Sequence, residues 1–95
     1  MSELNEEVPR LRVSTEWIDL TLEAEPYVVV TARGYVPGLN VRDADGKSYE
    51  LLAGAGSISE GIELLREEND GEYVGIRFKI RRESSDRFAK YEIEG

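Results

Sequence analysis

The sequence predicts an all-β, β-dominated fold: a five- to six-stranded barrel-like sheet with one short helix between a hairpin and the last two strands. Three observations carry this. Apolar and polar residues alternate at a period of two around residues 18–22, 74–81 and 87–94, the spacing of strands with one buried face. Tyr27-Val28-Val29-Val30-Thr31-Ala32 is a β-branched run, which packs well on a pleated surface. Only residues 58–68 carry apolar side chains at helical spacing.

In chain order, residues 1–12 read as a flexible acidic tail and 13–95 as the single domain. Ile18, Leu20 and Leu22 alternate with Trp17, Asp19 and Thr21 in a first strand, which Glu25-Pro26 ends as a turn. The run at 27–32 reads as a strand buried on both faces or at a barrel wall, bent at Gly34 and Pro37-Gly38 and resuming through Leu39–Arg42. Asp43-Ala44-Asp45-Gly46 is a turn signal, with Asx side chains and a glycine free to adopt positive φ. Lys47 to Leu52 returns as the second arm of that hairpin. Ser57-Ile58-Ser59-Glu60 has the spacing of a capping box, so Ser57 is expected to cap the helix and to contribute about 0.5–2 kcal/mol. Ile58, Ile62 and Leu65 form the helical stripe. Gly61 weakens this helix by about 1 kcal/mol relative to alanine, so packing must hold it. Asn69-Asp70-Gly71 ends it. The last two strands run through Val74–Arg81 and Arg87–Glu94, joined by Glu83-Ser84-Ser85-Asp86. The expected core is Ile18, Leu20, Val28, Val30, Val41, Leu51, Ile62, Leu65, Val74, Ile76, Phe78, Ile80, Tyr91 and Ile93.

With Tyr27–Arg42 counted as one interrupted strand, the order is three strands, a helix, then two strands. That order resembles the OB-fold, a five-stranded Greek-key barrel. The segments Lys47-Ser48-Tyr49-Glu50-Leu51, Glu72-Tyr73-Val74-Gly75-Ile76-Arg77 and Lys90-Tyr91-Glu92-Ile93-Glu94 also look like small OB-type binding proteins of phage and archaea. The resemblance spans residues 16–94 and implies an OB-like barrel whose last inter-strand loop, Arg82–Arg87, borders a ligand groove.

Composition narrows the function. The chain contains neither cysteine nor histidine, which removes disulfides, thiolate chemistry and any side chain whose ordinary pKa lies near neutrality. No enzyme activity, metal or cofactor is expected. The N-terminus, Met1-Ser2-Glu3-Leu4-Asn5-Glu6-Glu7, reads as neither a secretory signal nor a transit peptide. With no apolar run near the ~20 residues of a membrane span, the expected location is the cytoplasm. Net charge is −8, which disfavours non-specific attraction to phosphate backbones. The charge is uneven: residues 77–95 hold 6 basic and 4 acidic residues, residues 1–76 hold 6 and 16.

That basic end supplies the leading candidate site. Arg77, Lys79 and Arg81 lie on the outward side of one strand, Phe88 and Lys90 share a face of the next, and Arg82 and Arg87 flank the turn. Cations beside an exposed aromatic are what single-strand binders use, charges tracking phosphates and rings stacking on bases. The competing reading is a solvated strand face whose charges deter aggregation. Trp17 and Tyr35 are further stacking candidates, against the commoner role of aromatics in packing. Gly54-Ala55-Gly56-Ser57 could hold an anion at the helix start, but it lacks a P-loop lysine and a third glycine. Asp43 and Asp45 fit a hairpin turn better than a calcium loop, since Val41 and Leu52 occupy ligand places. The expectation is a non-catalytic binding module for single-stranded DNA or RNA through this basic face. The alternative is a protein-interaction or assembly domain whose acidic surface meets a basic partner.

Overall fold

The computed structural model describes residues 8–95. Six strands and one helix follow in order: β1 (Ile18–Leu22), β2 (Tyr27–Thr31), β3 (Gly34–Asp43), β4 (Ser48–Leu52), α1 (Gly56–Glu68), β5 (Arg77–Arg82) and β6 (Tyr91–Glu94). The strands pair antiparallel in one sheet of order β2-β3-β1-β5-β6, with β4 also on β3. The fold is thus strand-dominated with a single helix. The sheet stays open, because β4 and β6 do not pair.

A segment ahead of β1 spans part of that gap. Leu11 N–H donates to the Glu50 carbonyl and Glu50 N–H to the Pro9 carbonyl, both at 2.9 Å, while Arg82 N–H donates to the Ser14 carbonyl at 2.8 Å. Of the tail expected over residues 1–12, residues 1–7 lie outside the described residues, and Pro9 and Leu11 are tied to β4.

The interrupted strand is not the expected one. β1 and β2 lie end to end along one edge of β3, and β4 takes the other edge: Val41 is opposite both Leu22 and Tyr49. From the Leu22↔Val41 pair to the Tyr27↔Gly38 pair, one strand advances five positions and β3 only three. Two extra residues therefore bulge out between β1 and β2. The segment from Tyr27 to Arg42, expected as one bent strand, is instead a hairpin turning at Ala32-Arg33. Those two residues lack the Asn-Gly type of signal that marks short hairpins in sequence. Pro37-Gly38 does not break β3.

The buried core is Leu20, Leu22, Leu39, Val41, Leu51, Ala53, Ile58, Ile62, Ile76, Phe78 and Ile80, with Ile18, Leu65, Tyr91 and Ile93 packed against it. Three expected core residues are exposed: Val28, Val30 and Val74. Val74 sits in the turn before β5, whose pairing starts only at Arg77. Val28 and Val30 have the correct orientation without cover. Val28 is opposite Pro37 and Val30 opposite Tyr35, and Tyr35, Pro37, Leu39 and Val41 alternate onto one face of β3. Leu39 and Val41 on that face are core, so the hairpin continues the core face beyond its covering layer.

The helix also starts differently. Its N-cap is Ala55, with no side-chain capping bond, and Ser57 lies within α1. The Ser57 hydroxyl accepts from Tyr91 N–H at 3.2 Å, tying the helix to β6. Ser57→Ala therefore loses a helix–strand tie rather than a cap. Packing does offset the cost of Gly61. A Cβ there would lie 3.0 Å from Ile93 Cβ and 3.1 Å from its Cδ1, so the missing side chain lets α1 settle on β6. Among the described residues no helix is long and apolar enough to cross a membrane.

Candidate functional site

On β5, alternation does turn Arg77, Lys79 and Arg81 outward, in one row. Their neighbours come from strands distant in sequence. Lys79 is flanked by Asp19 on β1 and Glu94 on β6, Arg81 by Glu92, and Arg77 by Thr21. Residues directly opposite on one face lie close enough for opposite charges to compensate. Arg81 Nε bonds Glu92 Oε1 at 2.6 Å, and its guanidinium lies 4.6 Å from the Trp17 ring centre. Lys79 Nζ lies 6.0 Å from the same ring. Half-buried Trp17 is thus lined by cations rather than presented as an open stacking platform.

The remaining members of the expected site divide. Phe88 and Lys90 do not share a strand face, because β6 begins at Tyr91 and both precede it. Phe88 is 82% exposed, with the Arg87 guanidinium 5.1 Å from its ring centre. Its N–H donates to Asp86 Oδ1 at 2.9 Å, which shapes the turn. Lys90 is exposed, and its carbonyl accepts from Glu83 N–H. Arg82 turns inward: its guanidinium donates to the Asp86 carbonyl, and its buried Nε has no partner among the described residues. The structure therefore brings Arg77, Lys79 and Arg81 together, sets Arg87 and Phe88 on the turn, and uses Arg82 to hold it.

The lesser candidates are taken up by local structure. Asp43 Oδ1 accepts the N–H groups of Asp45 and Lys47, both at 2.9 Å, as an Asx turn does. Near the helix start, Ser59 Oγ donates to the Ala53 carbonyl at 2.9 Å.

A polar depression across β3 and β4 contains Glu23, Tyr27, Asn40, Ser48 and Glu50. Glu23 accepts from Arg42 at 3.1 Å and from Ser48 Oγ at 3.0 Å. The Tyr27 hydroxyl donates to Glu50 Oε2 at 2.7 Å and lies 3.1 Å from Asn40 Oδ1, while Arg10 Nε donates to Glu50 Oε1 at 3.0 Å. The Tyr27 bond and then Arg10 hold the Glu50 carboxyl below its ordinary range, against the opposing effect of burial. Burial, then the bond to Glu50, pushes the Tyr27 phenol up. The stability gained from Glu50 is present above the usual carboxylate range and is lost as pH falls through its lowered folded value. That from the neutral Tyr27 phenol is present below a phenol's usual value of ~10 and is lost as pH rises through its raised one. Tyr27→Phe is expected to cost about 1 kcal/mol at neutral pH, because Glu50 Oε2 loses its donor while Arg10 keeps Oε1. It should also flatten the acid side of the stability profile. Denaturant melts between acid and neutral pH check this, and parallel profiles for the two proteins would refute it.

Sequence reasoning missed the uncovered hairpin face. Val28, Val30 and Tyr35 are 70%, 71% and 78% exposed, with Pro37 beside them in register. The available signal was charge: residues 26–42 hold Arg33 and Arg42 and not one carboxylate, in a chain with 20. The chain matches no protein-family model, no curated protein and no solved structure.

Proposed function

We propose that this chain is a non-catalytic protein-binding module whose contact surface is the uncovered core face of the β2–β3 hairpin. The observation that carries it is the row Val28, Val30 and Tyr35, each at least 70% exposed, on the face that elsewhere forms the core. Contiguous exposed apolar side chains mark contact sites, whereas scattered ones do not. The absence of histidine and cysteine supports a role without catalysis, and a Glu50 held ionised by Tyr27 and Arg10 is a poor proton donor. Missing cysteine also fits a reducing compartment such as the cytoplasm. The connectivity supports an OB-type ancestry: β1 and β2 act as one interrupted first strand, the helix follows the third, and β5 returns beside β1.

Protein retention from source-cell extract on immobilised chain tests this. Wild type should retain a protein that Val30→Glu and Tyr35→Ser both fail to hold while their melts stay unchanged. A protein retained equally by all three would move the contact surface elsewhere.

A second reading, single-stranded nucleic acid on the β5 row, is favoured by the outward row Arg77, Lys79 and Arg81 and by exposed Phe88 beside Arg87. Asp19, Glu92 and Glu94 oppose it by flanking that row. Titration with labelled oligonucleotide separates the two. If these cations neutralise phosphates, Arg77→Ala/Lys79→Ala should lower the salt slope by about 0.7 for each phosphate left unneutralised. Phe88→Ala should then cost about 1–3 kcal/mol of binding. No binding at low salt would remove this reading.

A further inference from the structure

We propose that the partner of this surface is a second copy of the chain, joined through the free edge of β2 so that two sheets become one across a two-fold axis. The proposal rests on reading the hairpin as a protein-contact surface.

The edge is open and its polar groups can be placed. β2 ends the strand order. Its residue Val28 is opposite Pro37, and the Pro37 carbonyl accepts from Ala53 N–H at 2.8 Å, pointing away from β2. In an antiparallel ladder, opposite residues either exchange both bonds or turn both groups outward. Val28 and, two positions on, Val30 therefore turn their N–H and C=O groups toward the free edge. Among the described residues, no other segment bonds the backbone of β2. Sheet edges are normally defended by charge, proline or a bulge, and Tyr27-Val28-Val29-Val30-Thr31 has none of these.

The strand is also complementary to itself. An antiparallel copy centred on Val29 sets Val28 opposite Val30 of the second copy, and all the outward N–H and C=O groups meet partners. This isologous arrangement is what a two-fold interface requires. It keeps both apolar rows on one side of the continuous sheet, where they join. Charge does not oppose contact there: two copies at −8 each repel, but residues 26–42 carry two arginines and no carboxylate of their own, so the hairpin adds nothing to that repulsion. Five residues a side make a small interface, so weak, concentration-dependent association is expected.

The full chain is followed by sedimentation equilibrium at low and moderate salt, and by amide hydrogen exchange at low and high concentration. A dimer is expected that tightens with added salt as repulsion is screened, the opposite of a nucleic-acid complex. The Val28 and Val30 amides should gain protection only at high concentration. Val30→Lys should weaken the dimer by about tenfold or more. Since the chain has no cysteine, Val29→Cys reads the register. Its residue would face its own counterpart in a non-bonded pair about 4.5 Å apart between Cα atoms, within disulfide reach. Val29→Cys should cross-link on oxidation and Thr31→Cys should not. A wild type monomeric at high concentration would overturn the proposal. So would Val28 and Val30 amides protected at every concentration, or a dimer unaffected by Val30→Lys. If the wild type is monomeric but Val30→Glu abolishes retention of a protein, the hairpin reading stands with a different partner. If neither occurs, both fail.

Discussion

Replacing Ile80 with alanine is expected to destabilise the domain by about 2–5 kcal/mol, the range for deleting a fully buried aliphatic side chain. Ile80 has no solvent exposure and sits in β5 between two partners, opposite Ile18 on β1 and Ile93 on β6. With ladders on both sides the backbone has little room to collapse into the cavity, which favours the upper part of that range. Val30→Ala provides the contrast. Val30 lies on the same face of the sheet by register but is 71% exposed, and its truncation should change stability by less than about 1 kcal/mol. Denaturant midpoints at unchanged slope measure both. Equal losses at the two positions would mean that the hairpin face is covered after all.

Gly38→Ala should cost about 1–3 kcal/mol, the range for overpacking, although it adds only a methyl group. A Cβ at Gly38 would stand 2.6 Å from Val29 Cγ2, 2.7 Å from Tyr27 Cε2 and 2.9 Å from Tyr27 Cζ. All three atoms belong to β2, so β2 must shift or the ring must tilt. The ring is pinned through its hydroxyl to Glu50. Tilting it would release that bond and let the Glu50 carboxyl rise toward its ordinary range. A melt together with an NMR titration of Glu50 tests the point. A stable variant with Glu50 unchanged would show that the strands separate freely at Gly38.

Ile80 and Val30 also mark where local sequence suffices and where it does not. Ile76, Phe78 and Ile80 are buried as their alternation requires. Val28 and Val30 lie instead in an unbroken β-branched run that reads as buried on both faces, and only the register with β3 puts them on the core face. Whether that face is covered depends on which distant elements pack over it, which no local spacing encodes. The Ser57–Glu60 spacing has the form of a helix start, yet α1 begins at Gly56 with Ala55 as its cap, because the Ser57 hydroxyl is engaged by β6 instead. The candidate site shows the same division. The outward turn of Arg77, Lys79 and Arg81 was legible from alternation. Their neutralising neighbours Asp19, Glu92 and Glu94 became visible only with the strand order.

That strand order constrains how the chain is made. β1 lies between β3 and β5, and its second ladder, running from Ile18↔Ile80 to Thr21↔Arg77, waits until β5 has been synthesised. The hairpins β2–β3 and β3–β4 close over short loops and form early. Non-local pairing bears the loop-closure cost before any contact rewards it, so docking of β5 is the slow step. Until then a nascent chain exposes one edge of β1 as well as β2. A ribosome stalled before residue 77 would thus hold two apolar strand edges in water, the condition under which nascent chains aggregate or recruit chaperones.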